Sequence, residues 1–193
     1  MRFLIFCTLI VLFGCLARPM VKKADSEIHL QQNKIIEQAV QQTAKSGDWL
    51  VIRGYKAVDN LVAAAAGIPL SHAGVYDAEA GTVIEAEGKG VHETSLAEFV
   101  DKSYRLLIIR PRWRTEANAD SAVSNAKKLT GKSYDFLGTI GFDAPGRYYC
   151  SELAVYIYKD WHNKNEKFPK VIKPGELYLY GKVLYDSRPR DEF

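Results

Sequence analysis

Cys150, in the string Tyr148-Tyr149-Cys150-Ser151-Glu152, is the residue of this chain best placed to act as a nucleophile. The other two cysteines, Cys7 and Cys15, fall in an apolar N-terminal run, and removal of that run leaves Cys150 without a disulfide partner. An apolar helical pattern begins at Cys150. The free N–H groups and the dipole of a helix N-terminus stabilise a thiolate there. Covalent catalysis by cysteine also needs a base or cation beside the sulfur and a group that orients the base. His72 and Glu85 supply these types on two strand-like segments, 70–76 and 82–86, joined by Asp77-Ala78-Glu79-Ala80. A four-residue loop there pairs Tyr76 with Gly81 and sets His72 directly opposite Glu85, with Cβ atoms about 4.5–5.5 Å apart. A slip of one residue would send them to opposite faces.

Other polar residues are weaker candidates. Tyr134, in the turn Gly131-Lys132-Ser133-Tyr134-Asp135-Phe136, and Tyr149 can wall a substrate cleft or donate a hydroxyl to an oxyanion. Glu152 reads as first-turn charge on the helix of Cys150, and the polar Ser151 and Glu152 argue that the thiol is not buried. His92 and His162 read as surface histidines, and His29 as part of the outer face of the first helix. The four histidines lack metal-ligand spacing, so no metal or other cofactor is expected. Gly88-Lys89-Gly90 is too short for a phosphate loop, and Gly141-Phe142-Asp143-Ala144 has no serine to make a hydrolase elbow.

The elements that must carry these residues follow from periodicity. Ile28, Ile35, Ile36, Ala39, Val40 and Ala44 recur at helical spacing, with Asp25 or Ser26 as N-cap and Gly47 as the stop. Trp49-Leu50-Val51-Ile52 reads as a buried strand, 57–66 as a helix and 104–110 as a central strand. Next come a helix over 116–129, a glycine-rich loop over 138–147 and a helix over 150–161, with one more strand or hairpin over 178–185. Helices flanking an antiparallel sheet make the class α+β. A chain of 193 residues with a net charge of +3 and no dense basic stripe holds one domain and disfavours nucleic acid.

Residues 1–15 have a positive start and an apolar core of signal-peptide length. Leu12-Phe13-Gly14-Cys15 resembles a bacterial lipoprotein signal, which would make Cys15 the lipidated first residue. Cleavage after Ala17 and an uncleaved anchor are the alternatives. All three place the folded part outside the cytoplasm, with residues 16–25 as a tether and 26–193 as a single domain. A membrane is then reached only through an N-terminal anchor.

Ser71-His72-Ala73-Gly74, Val83-Ile84-Glu85-Ala86, Gly131-Lys132-Ser133-Tyr134-Asp135-Phe136 and Tyr149-Cys150-Ser151-Glu152, in that order, resemble the YiiX-like permuted papain-like cysteine amidases, relatives of the NlpC-type cell-wall peptidases. Histidine and glutamate precede the cysteine, as in the permuted arrangement. The resemblance implies a permuted papain-like fold, with Cys150 as nucleophile, His72 as catalytic histidine, Glu85 as third member and Tyr134 near the site. It implies a cysteine hydrolase of an amide bond, with peptidoglycan peptides or a small amino-acid amide as substrate. The rivals are an acyltransferase or thioesterase using the same triad on a lipid or ester, and a non-catalytic lipoprotein that binds cell-wall peptide.

Overall fold

The computed structural model describes residues 21–193, with the backbone alone at positions 65 and 66. The expected leader, Cys15 and the first part of the tether lie outside the described residues. Among those described, no helix is long and apolar enough to cross a membrane.

The chain runs α1 (Ser26–Thr43), β1 (Trp49–Gly54), α2 (Ala57–Ala66), β2 (His72–Asp77), β3 (Thr82–Glu87), β4 (Gly90–Ser95), α3 (Leu96–Asp101), β5 (Ser103–Pro111), α4 (Ala119–Lys127), α5 (Cys150–Tyr156) and β6 (Gly181–Asp186). The six strands form one sheet in the order β4-β3-β2-β1-β5-β6, and every pairing is antiparallel. Alternation along β1 builds two cores. Trp49 and Val51 join Ala122 of α4 and Leu153 of α5 on one face. Leu50 and Ile52 join Ile36 of α1 and Phe99 of α3 on the other. The α+β class and the helix-flanked antiparallel sheet are as expected.

The first helix departs from its expected face. Asp25 does cap it, accepting the Glu27 N–H at 3.0 Å. Its buried side, however, consists of His29, Gln32, Asn33, Ile36 and Val40, while Ile28 and Ile35 are exposed. The reason lies at the far end of the chain. Arg190 is buried and donates to the Ser103 carbonyl (2.6 Å), the Val100 carbonyl (2.9 Å) and Asn33 Oδ1 (2.7 Å), and its carbonyl accepts from Gln32 (2.8 Å). A buried guanidinium needs such partners, so α1 turns its amides inward. His29 therefore lies in the interior and not on an outer face.

The last segment also differs. A 3-10 helix fills Pro174–Tyr180, and only Gly181–Asp186 is strand. The helix of Cys150 stops at Tyr156, with a separate 3-10 turn over Lys159–Trp161.

Candidate active site

The β2–β3 hairpin positions the acid and the base. Its register is Gly74↔Glu85, Val75↔Ile84, Tyr76↔Val83 and Asp77↔Thr82, so His72 is not directly opposite Glu85. Asp77 stays in the strand and its side chain accepts the N–H groups of Glu79 (3.1 Å) and Ala80 (3.2 Å). Gly81, at φ +67°, closes the turn in the left-handed region. The turn is thus residues 78–81, one further along than expected, and the register moves by two. A shift of two keeps every side chain on its face. His72 and Glu85 become diagonal neighbours, and Gly74 has no side chain to stand between them. A Cβ at Gly74 would meet Val83 Cγ1 at 2.4 Å.

His72 Nε2 lies 2.5 Å from Glu85 Oε2, which leaves Nδ1 for the hydrogen bond that joins His72 to the Cys150 side chain. Burial works against charge on His72, but the Cys150 sulfur and the Glu85 carboxylate outweigh it and raise its pKa well above 6.5. Glu85 is fully buried. Burial would raise its pKa, yet the hydrogen bond from His72 and the charges of His72 and Lys102 hold it far below the usual carboxylate range.

The sequence did not single out the groups that complete this arrangement. Lys102, just past α3, donates to both Glu85 oxygens (2.7 and 2.5 Å) and to Glu87 (2.9 Å). The Thr94 hydroxyl donates to Glu85 Oε1 at 2.5 Å. His92, cross-strand from Glu85 on β4, donates from Nδ1 to the Gly90 carbonyl (2.9 Å) and holds Nε2 3.5 Å from Glu85 Oε1. It is therefore not a surface histidine. Nor is His162, whose ring lies 4.3 Å from that of Trp113 and 4.8 Å from that of Phe168. The period-2 pattern of β4 carried the signal for Thr94 and His92. Lys102 follows a short helix and had none.

Cys150 is the first residue of α5, and at 5 % exposure it is more buried than its polar neighbours suggested. Ser151 is turned inward as well, donating to the Ile172 carbonyl at 2.6 Å. Glu152 caps the helix by accepting the Tyr149 N–H at 3.2 Å. Burial, with Asp143 and Asp135 nearby, pushes its pKa up to about 7.

Tyr134 reaches the site because its turn pairs with the approach to Cys150. The Tyr148 N–H donates to the Ser133 carbonyl (3.1 Å) and the Asp135 N–H to the Tyr148 carbonyl (3.2 Å). Asp135 then organises the following loop, accepting the N–H groups of Gly138 (2.8 Å) and Ala144 (3.0 Å). Tyr134, Tyr149 and Cys150 line one cavity of about 480 Å³. Burial and the nearby sulfur raise the Tyr134 pKa, so its hydroxyl stays a donor. The Tyr149 oxygen accepts the Ile172 N–H at 3.0 Å, which fixes that ring in the wall.

Two groups of ligand atoms come within 4.8 Å of one another, His72/Glu85/Glu87 and Asp135/Asp143/Glu152. Lys102 already supplies the cation between Glu85 and Glu87. In the second group, Asp135 and Glu152 are engaged with backbone N–H groups.

With this geometry in view, a family model described as permuted papain-like amidase enzyme, YaeF/YiiX, C92 family, matches residues 43–175. Among solved structures the chain is similar to the metalloprotein YiiX from Escherichia coli O157:H7, at 23% identity and a TM-score of 0.52, covering 60% of this chain and 65% of that one. That likeness is one of fold. No curated protein matches the chain.

Proposed function

The chain belongs to the permuted papain-like amidases of the YaeF/YiiX family, and from that premise we propose that it hydrolyses an amide bond through Cys150, His72 and Glu85. The observation that carries this reading is the imidazole held between Glu85 and the Cys150 sulfur. The sulfur attacks the amide carbonyl carbon as thiolate while His72 carries the proton. The oxyanion forms against the N–H of Cys150, one of the unpartnered donors of a first helical turn, and the Tyr134 hydroxyl. As the C–N bond breaks, His72 gives its proton from Nδ1 to the departing nitrogen, leaving a thioester. Neutral His72 then takes a proton from water as the water oxygen attacks the thioester carbonyl. The acid is released and the thiol–imidazole pair restored. Glu85 orients the ring from Nε2 and stabilises its charged form, and Lys102 and Thr94 keep Glu85 ionised and aimed. Tyr149 acts as a wall of the substrate cavity.

The setting is extracytoplasmic, with the N-terminal segment as signal and Cys15 as its lipidation point, and the substrate a peptidoglycan peptide or an amino-acid amide. The test is mass spectrometry of muropeptides and acyl-amino-acid amides after incubation with the wild type and with Cys150→Ala. New amine and acid termini with the wild type alone support the reading. Equal products from both proteins, or none from either, contradict it.

A further inference from the structure

His92 stands beside the Glu85 carboxylate but does not line the Cys150 cavity. It pairs directly with Glu85 across β3 and β4, so the two side chains share a face of the sheet. Its Nδ1 lies 2.9 Å from the Gly90 carbonyl oxygen and its Nε2 3.5 Å from Glu85 Oε1. Nε2 is buried and has no hydrogen-bond partner among the described residues.

Both oxygens that the ring faces can only accept. A neutral imidazole has one N–H and one lone pair. Whichever nitrogen holds the hydrogen, the other turns its lone pair towards an oxygen. With Nδ1 donating to Gly90, the misfit falls between Nε2 and the Glu85 carboxylate. A ring protonated at both nitrogens removes it, because both then donate.

Glu85 has a use for that donor. His72 and Lys102 bind its Oε2, and Thr94 and Lys102 bind its Oε1. A further donor on Oε1 opposes the pull of His72 on Oε2 and fixes the plane of the carboxylate. Charge on His92 is favoured by Glu85 and by Glu87 on the same strand, and opposed by Lys102 past α3 and by His72 on β2.

We propose that His92 is a positioning residue, which in its protonated form donates from Nε2 to Glu85 Oε1 and holds Glu85 in the plane that serves His72. This role rests on the amidase reading above, and in it His92 touches no substrate.

Asparagine and glutamine separate the two nitrogens, since an Asn amide overlies Nδ1 and a Gln amide overlies Nε2. His92→Asn keeps a donor for Gly90 and loses the one for Glu85, and His92→Gln does the reverse. The full chain is assayed on an amino-acid 4-nitroanilide at pH 6. In His92→Asn kcat falls about fivefold, the worth of one ordinary hydrogen bond, while KM changes less than about twofold. His92→Gln restores kcat to within about twofold of the wild type. The nitrogen-15 shifts of the His72 ring report the same contact without turnover, moving in His92→Asn and holding in His92→Gln. Equal loss of kcat in both variants, or loss in His92→Gln alone, makes His92 a clip on the Gly90 carbonyl and overturns the proposal. So does a lowered thermal midpoint in His92→Asn, or a His72 spectrum that neither variant changes. A wild type that cleaves no amide overturns the amidase reading, and the His72 shifts then still decide the role of His92.

Discussion

Two buried histidines in this chain each hold a carboxylate, and only one of them also meets a thiol. His29 Nε2 lies 2.9 Å from Asp101 Oδ1, much as His72 Nε2 lies 2.5 Å from Glu85 Oε2. Their titrations diverge. Burial, then the charge of Arg190, lowers the pKa of His29 despite its aspartate. The sulfur and the glutamate raise that of His72 despite burial. The free sides of the rings explain the rest. Nδ1 of His29 is buried with no hydrogen-bond partner among the described residues, whereas His72 meets a thiol that lines a cavity. On the function proposed above, a histidine–carboxylate pair is a structural clip or half of a catalytic site according to the third group it faces.

The largest effects should separate the two pairs most cleanly. Cys150→Ala and His72→Ala should each lower kcat/KM by about 10³- to 10⁴-fold or more, with native circular dichroism. His29→Ala should keep kcat/KM within about threefold and lose roughly 1–3 kcal/mol in urea unfolding, since Asp101 loses its bond to a buried imidazole. Loss of turnover in His29→Ala on a par with His72→Ala would erase the distinction.

Glu85→Gln should cost about 10²-fold in kcat/KM and change the pH profile. Glu85 raises the pKa of His72, so its removal lowers the pH at which the imidazolium loses its proton, and the alkaline limb moves down. An unmoved alkaline limb would make Glu85 an ordinary strand carboxylate. Lys102→Met should cost less, about three- to tenfold. The lysine charge helps keep Glu85 ionised, so here the acid limb should move up.

The smallest effect concerns stability. Glu152 has a folded-state pKa raised from 4.5 to about 7. The unfolded chain therefore releases this proton first, and stability is full below about pH 4.5 and falls as pH rises to about 7. Glu152→Gln keeps a capping oxygen for the Tyr149 N–H and removes the charge. Discounted for solvent screening, it should be about 1 kcal/mol more stable than wild type at pH 8 and equal to it at pH 4. Identical urea midpoints at both pH values would refute the assignment.

Much of the site was legible because face, unlike register, follows from parity. The hairpin turn lies one residue beyond the position that loop length implies, yet His72 and Glu85 still share a face because the register moves by an even number. Cys150 at the start of α5 followed from the apolar pattern behind it. Its burial did not, since the polarity of Ser151 and Glu152 is satisfied inward, by the Ile172 carbonyl and the Tyr149 N–H. Lys102 and the inward side of α1 were illegible for a shared reason. Each is set by a partner distant in sequence, Glu85 for the lysine and Arg190 for the helix amides, and local periodicity carries no trace of such contacts.

Nitrogen-15 NMR titration of the histidine rings would show whether His72, held by Glu85, bears a proton for the Cys150 sulfur. His72 in the wild type should keep its proton well above pH 6.5, Cys150→Ala should bring its titration down, and His29 should titrate below 6.5 in both proteins. A His72 that titrates at or below 6.5 in the wild type, or one that Cys150→Ala leaves unchanged, would contradict it.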